Sequence, residues 1–407
     1  MSSTFRSLKY YNARLFFSGL AVSNVGTWLQ MTAMSLLVYG LTGEATTVGV
    51  TLALQMLPTL FLGAWAGVIA DGRDRRTMAI ATQSALAVQA LVLGTIDMAG
   101  WASLPVVYAL ALVLGVVNAF DNPARRGLVT ELVPTVDIPN ATSLNTAVMT
   151  GSRIFGPALA GVLVTTIGTA WCFLLNGLTF FAIIFSLVAI RRDEMFPVAR
   201  RAKGGKPIRE ALGFVAGHRD LLIIYSLLLI ISTVAFNQAT VLPKLADVRW
   251  GGEEAFGFIL AVMSVGSLTG SLLTARQRTV TMRWFFGSIV VMAFAGFGLA
   301  WAPSLALAYA WSVPFGIGGA AFIAGANAIT QQECPPDMRS RLLALQAVAF
   351  LGSTPIGGPL TGVIADNVSA EWALAYSSVV SLACVAVAGT YWRAGNRTDA
   401  RELTTTA

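Results

Sequence analysis

Long apolar runs separated by short polar connections set the pattern of this sequence. A helix needs about 20 mostly apolar residues to cross a bilayer core. Runs of that kind fall at residues 15–39, 47–70, 77–98, 104–122, 141–166, 171–190, 221–243, 255–275, 284–302, 304–330, 341–367 and 372–392. The third ends at Asp97, which is expected near a surface. Several runs exceed the minimum, which predicts tilt or projection beyond the hydrocarbon. A strand barrel would instead show short alternating segments. The first run continues to Tyr39, beyond a signal-peptide core, and has no clear small-residue cleavage pattern, so it reads as a membrane helix. The predicted fold class is an all-α membrane protein with twelve transmembrane helices.

The longest polar interruption, Arg191 to Asp220, separates two blocks of six runs. This divides the chain into residues 1–190, a linker at 191–219, and residues 220–407. Within the linker, Ile208, Leu212 and Val215 recur at helical spacing beside Arg209 and Glu210. The spacing fits a short helix lying along the membrane surface, and it fits an ordinary solvated linker equally well. The two blocks echo each other at an offset of about 201 residues: GSRIFGPALAGVL from Gly151 matches GSTPIGGPLTGVI from Gly352. Upstream, Glu131, Pro134 and Leu144 correspond to Glu333, Pro335 and Leu345. The shared offset and span order point to duplication, which is common in transporters.

Composition narrows the function classes. Of the 407 residues, 56% are hydrophobic and 12% charged, too little polar sequence to coat a soluble core. The formal charge of +7 raises the question of nucleic acid, and the placement of the cations answers it. With the N-terminus in the cytoplasm, all but three of the 27 Lys and Arg residues fall in inner segments. Lys244 and Arg249 lie outside, and Arg153 lies within the fifth run. This is the orientation signal of a membrane protein, with both termini cytoplasmic and no nucleic-acid partner. Cys172 and Cys384 sit in apolar runs, Cys334 sits in a loop, and His218 stands alone, so no metal site or cofactor is expected. Neither GxxxxGK[ST] nor HExxH occurs, and no nucleophile–base pair stands out, which argues against an ATP-driven pump or an enzyme.

Several residues carry candidate chemistry. The turn after the second run reads Gly67-Val-Ile-Ala-Asp71-Gly72-Arg73-Asp74-Arg75-Arg76, and the fourth ends in Asp121-Asn122-Pro123-Ala124-Arg125. A carboxylate such as Asp71, at a helix end, can accept a neighbouring helix's free N–H groups or pair with arginine. Asp121 and Arg125 share a face if the helix continues, and reach separate partners if Pro123 ends it. Arg153 is the sharpest anomaly, since an arginine facing lipid is costly. Its options are a pair with Asp121 or Asp71, an anionic substrate group, or snorkelling to the surface. Gly151, Gly156, Pro157 and Gly161, echoed by Gly358, Pro359 and Gly362, suit close helix packing or a hinge. Asn24, Trp28, Gln30, Asn145, Asn237 and Gln238 are candidates to line a cavity, against the alternative of hydrogen bonds between helices.

These motifs resemble the major facilitator superfamily, and more narrowly its bacterial drug and siderophore exporters, which include the enterobactin exporter and the transmembrane secretion effector group. Asp71, Arg75 and Arg76 match the superfamily's turn between helices two and three, whereas Gly72 departs from the usual basic residue. Asp121 to Arg125 match the subgroup's helix-four signature, the Gly-Pro run resembles the exporter and antiporter motif, and Asn24, Gly26, Trp28 and Gln30 fit its first helix. The resemblance implies two six-helix bundles around a cavity that opens alternately to either side of the cell membrane. It also implies cytoplasmic-gate roles for Asp71, Arg75, Arg76, Asp121, Arg125 and Arg153. The implied activity is proton-coupled export of small amphipathic molecules by a monomer. A scaffold or sensor derived from a transporter is the alternative, expected to have an occluded, continuously packed centre.

Overall fold

The computed structural model describes residues 3–196, 207–335 and 338–405, and it is helical almost throughout. The helices of the first half are α1 (Tyr11–Thr42), α2 (Ala45–Gly72), α3 (Arg75–Met98), α4 (Leu104–Glu131), α5 (Ile138–Ile167) and α6 (Thr169–Ala189). A short helix, α7 (Pro207–Gly217), precedes the second half. That half comprises α8 (Arg219–Ala235), α9 (Gln238–Trp250), α10 (Glu253–Ala275), α11 (Met282–Ala300), α12 (Leu305–Glu333), α13 (Arg339–Leu351), α14 (Thr354–Asn367) and α15 (Ala370–Thr405).

Among the described residues, 11 helical segments are long and apolar enough to cross a membrane. The first predicted span, α1, is long enough at 32 residues but is not one of them. Its polarity has a cause: Ser23, Asn24, Gln30, Thr32 and Ser35 are all buried, so α1 faces protein rather than lipid. Elsewhere Phe61, Trp65, Phe155, Phe185 and Phe294 are exposed on the helices, as a lipid-facing surface requires.

Two predicted spans prove to be interrupted. The seventh bends between α8 and α9 at Phe236–Asn237 and runs on to Trp250, past the expected end at 243. The eleventh breaks at Gly352–Ser353, between α13 and α14. Pro355 explains the second break: it has no N–H to donate to Leu351, and its ring crowds that carbonyl. The echoing stretch of α5 has isoleucine at the corresponding position 154, and α5 stays continuous through Pro157. The two breaks abut, since a Cβ at Gly357 would strike the Thr233 carbonyl and lie 2.8 Å from the Asn237 side-chain nitrogen.

Helix packing follows small residues. Within the first half, α1 packs on α5 and α6, α3 on α4 and α6, and α2 on α4. In the second half, α12 packs on α10 and α11, and α15 on α8 and α11. Gly266 and Gly270 of α10 lie against the Val313 and Ile317 carbonyls of α12, too close for any side chain. The halves meet chiefly through two pairs, α2 with α14 and α5 with α10.

The linker prediction falls partly on residues outside the described set, including 197–206. The rest is helix α7, which buries Ala211 and Val215 against α8 and α13 and leaves Leu212 exposed. Glu210 pairs with Arg341, which ties α7 to α13.

Candidate functional site

The arginine-rich connections gather at one end of the molecule, here the basic end; the turns at Gly43 and Gly168 mark the opposite end. The two interfaces between the halves behave differently at these ends. On α5, residues 142, 146, 150, 153, 157 and 161 form one stripe by i, i+4 and i, i+3 spacing. Toward the opposite end this stripe is sealed: Gly257 of α10 sits on Gly161 and the Pro157 carbonyl, with no room for a Cβ. Toward the basic end the same stripe reads Thr142, Thr146, Thr150 and Arg153, and Thr142, Thr146 and Arg153 are exposed. A face that meets the other half at one end must look into the gap between the halves at the other. The exposed polar stretch therefore lines a cleft and not the lipid.

Helix α2 repeats the pattern. Thr46, Gly49, Ala53, Met56, Leu60, Gly67 and Asp71 follow one stripe. Gly49 lies against the backbone of Gly358, and Gly362 lies against Ala45 and Thr46. Leu60 reaches Gly352, after which the contact ends: a side chain added at Gly67 or Gly72 would meet open space. Asp71 is 73% exposed and, among the described residues, held only by its i, i+4 pair with Arg75 at 2.8 Å. The cleft is closed at the opposite end and open at the basic end.

A carboxylate locks the closed end. Asp366, near the end of α14, accepts hydrogen bonds from the backbone N–H groups of Ala45 (2.9 Å) and Thr46 (2.8 Å) and from the Thr46 hydroxyl (2.6 Å). It also pairs with Lys244 of α9 at 2.7 Å. The first N–H groups of α2 have no partner within their own helix, so an acid from the other half satisfies them and meets the positive end of the helix dipole. Beside it, Tyr39 of α1 donates to Asp247 of α9 at 2.9 Å. Sequence reading placed Lys244 merely outside and gave Asp366 no role. The available signal was a lone cation on the wrong side of the charge asymmetry with an acid at the same level.

At the basic end the charges of the two motifs all bond within the first half. Arg75 bridges Asp71 and Glu131, each at 2.8 Å, and lies over Gly127, where a Cβ would overlap it. Arg76 donates to the carbonyls of Leu187 and Val188 at 2.6 Å, which caps the end of α6 rather than reaching across the cleft. Asp121 is fully buried, with Arg125 at 2.5 Å and with Thr82 and Gln83 of α3 donating at 2.8 Å. Helix α4 continues through Pro123, so the alternative in which that proline separates the two charges does not hold. A further cluster went unread: Arg6, Lys9 and Tyr10 converge on Asp137 at the start of α5. The Tyr10 hydroxyl and Asp137 hold the Lys9 ammonium above its ordinary pKa.

The structure corrects several sequence expectations. Arg153 pairs with neither Asp121 nor Asp71; its guanidinium lies over the Trp28 ring at 5.0 Å. Gln30 is not in the cleft but in a buried chain, bonded to Gln89 (3.1 Å) and Asn176 (2.7 Å), which joins α1, α3 and α6. Asn24 is buried against the Met149 sulfur at 2.9 Å. Asn237 and Gln238 turn back to the carbonyls of Thr233 and Ala235, satisfying acceptors freed by the α8–α9 break. Gly151 has open space where a side chain would be, so it packs nothing closely; Gly156 does, against α1 at Val25, Trp28 and Leu29. Asn145 is half-buried on α5. Pro359 lies within α14 beside the Gly49–Gly358 contact. Among the described residues no cluster of His, Cys, Asp and Glu could hold a metal.

The close glycine contact carries a prediction. Gly49→Val should strain the closed end by overpacking, typically about 1–3 kcal/mol. Hydrogen exchange should then rise in the facing segments of α2 and α14 while the Gln30 network stays protected. Equal exchange in variant and parent would show that the contact does not hold the closed end.

Comparison with known proteins agrees with this geometry. The sequence profile of the transmembrane secretion effector family matches residues 2–404. The staphyloferrin A transporter of Staphylococcus aureus is 22% identical over 64% of this chain and 66% of its own length. The multidrug efflux pump Tap of Mycolicibacterium fortuitum is 26% identical over 84% of this chain and 87% of its own. In fold, the chain is similar to a bacterial homologue of the human lysosomal transporter Spinster in an inward-facing, unoccupied conformation, with a TM-score of 0.73 and 14% identity over 95% of this chain and 98% of that one. It is also similar to a bacterial homologue of the iron transporter ferroportin in an inward-facing state, with a TM-score of 0.69 and 17% identity over 93% and 97% of the two chains. Its family and structural neighbours are transporters, not enzymes. With a profile match across almost the whole chain, this multi-pass membrane protein belongs to the transmembrane secretion effector family of the major facilitator superfamily.

Proposed function

We propose that this chain is a secondary active exporter of small amphipathic molecules that works by alternating access, as a monomer, in exchange for protons. Residues 1–190 and 220–407 act as two six-helix bundles joined by the segment 191–219, with α1 as the twelfth crossing. The basic end is cytoplasmic, as are both termini, so the described state is open to the cytoplasm and sealed outside. The observation that carries this reading is the single stripe on α5, which is a glycine seal at one end and an open polar wall at the other. A scaffold without an exchanging cavity should be packed along its whole length, and this stripe is not. The similarity to drug and siderophore transporters supports the exporter reading, with the narrower likeness to enterobactin export part of the same proposal.

The outer latch suggests how the inner gate works. Asp366, at the outer end of α14, caps the start of α2. Asp71 occupies the mirror position, at the inner end of α2 and on the stripe that faces the other half, and α13 begins at the same level. When the inner end closes, Asp71 caps the first free N–H groups of α13, and the Asp366 contacts open. Arg75 and Glu131 position Asp71 for this exchange, and the bonds from Thr82 and Gln83 to Asp121 hold α3 against α4 as the bundle rocks.

The test is uptake into inverted membrane vesicles, with a panel of anionic, neutral and cationic fluorescent amphiphiles and with or without a pH gradient. Accumulation that depends on the protein and rises with an acidic interior is the expected result. No movement of any probe would count against export, and movement indifferent to the gradient would count against proton exchange.

A further inference from the structure

Arg153 lies fifteen residues from the start of α5, roughly 22 Å along the helix. It sits one helical turn from Pro157, where the seal between α5 and α10 begins, and so at the closed apex of the open cleft. Such a cation is expensive at this depth unless it is hydrated or paired. Among the described residues no carboxylate pairs with it. Apart from Asp121, which is buried on α4 and committed to Arg125, Thr82 and Gln83, the acidic residues sit in or next to the connections. The groups that do surround Arg153 are neutral. Trp28 supplies a ring face at 5.0 Å, and Thr150, Thr146 and Thr142 continue the stripe as a hydroxyl-bearing wall toward the mouth.

We infer that Arg153 and Trp28 form the recognition point for the negatively charged group of an anionic aromatic or amphipathic substrate. The inference rests on the transport reading above and names the substrate class of that cleft. The guanidinium offers a fork of donors that matches a carboxylate, sulfonate or phosphate, and its contact with the Trp28 face leaves donors free for such a group. The ring and the neighbouring apolar surface take the substrate's hydrophobic part. A cation entering the same cleft meets a fixed positive charge with no acid to offset it. The cleft therefore selects by sign of charge at its closed apex.

The experiment compares two probes with the same aromatic frame, 1-anilinonaphthalene-8-sulfonate and N-phenyl-1-naphthylamine, with ethidium as the cation. Binding to the purified full chain in a neutral detergent is measured by titration calorimetry and competition. The parent protein should bind the sulfonate at least tenfold more tightly than the neutral analogue and ethidium more weakly than either. Arg153→Gln should weaken sulfonate binding by roughly ten- to a hundredfold and leave the neutral analogue within twofold, and Arg153→Lys should recover part of the loss. A parent protein that prefers the neutral or cationic probe, or binds none, would overturn the inference without reference to any variant. Equal weakening of all probes by Arg153→Gln would also overturn it, because it marks a structural role. Flux in proteoliposomes separates the two readings. Sulfonate-selective binding without flux sinks export and leaves the anion site standing. Flux of neutral or cationic probes that Arg153→Gln does not change, without the sulfonate preference, leaves export standing and sinks the anion site.

Discussion

Asp366→Asn is expected to open the closed end of the cleft. The substitution keeps the side chain's shape but removes the charge that binds Lys244 and the start of α2. Hydrogen bonds to a charged group are worth about 1.5–3 kcal/mol. These groups are only 16% and 20% exposed, so screening by water reduces that value little. A loss of about 2 kcal/mol from the state closed at this end shifts its ratio to the state open there roughly thirtyfold. Spin labels at Leu41 and Val368, exposed on opposite halves at this end, report the change as a longer distance between the labels. The control is Arg192→Gln, which removes an exposed surface pair with Asp74 at the basic end and should leave the distance unchanged. An unaltered distance distribution in Asp366→Asn would show that the glycine contacts alone close this end.

Asp121→Asn should cause the largest loss of stability. Asp121 is fully buried and Arg125 is 16% exposed, so the substitution leaves a largely enclosed guanidinium without its counter-charge. Breaking a buried pair by removing one partner costs about 3–5 kcal/mol, whereas replacing both partners by apolar groups of similar volume is often close to neutral. The double variant Asp121→Leu, Arg125→Met should therefore be more stable than Asp121→Asn, even though it departs further from the parent sequence. Unfolding equilibria in mixed micelles measure both. If the single variant loses less than about 1 kcal/mol, the pair behaves as a surface contact and does not stabilise the end of α4. The Gln83 and Thr82 donors bond the same Asp121 oxygen, so Asn can keep part of that network through its carbonyl. The loss should then come from the charge rather than from a missing acceptor.

Much of the architecture could be read from the chain, and the limits of that reading have physical causes. Apolar run length and the side on which cations fall depend on the bilayer alone, so the crossings and the arginine-rich end follow directly. The Asp71–Arg75 and Asp121–Arg125 pairs follow from i, i+4 spacing within one helix. Partners on different helices were harder. Gln30 looked like a cavity residue because a buried amide and a cavity amide have the same composition, and only the positions of Gln89 and Asn176 separate them. Asn237 and Gln238 were misread because the break they satisfy was not foreseen. Asp366 was missed because charge near a helix end is ordinary, and what it does depends on the other half arriving at the same place. Arg153 was recognised as exceptional, yet its isolation from acids could be seen only once the faces of the helices were known.

The two broken spans bear on how the molecule moves. In the first half, α1 and α5 run unbroken from end to end; their counterparts in the second half, α8–α9 and α13–α14, are each jointed, and the joints touch at Gly357 and Asn237. Mechanical compliance in this duplicated scaffold is therefore lopsided. The helices of one half run on through their internal prolines, while the other half can flex at a shared elbow, where Asn237 and Gln238 already match freed carbonyls. If the halves rock as proposed, the jointed half takes up more of the bending.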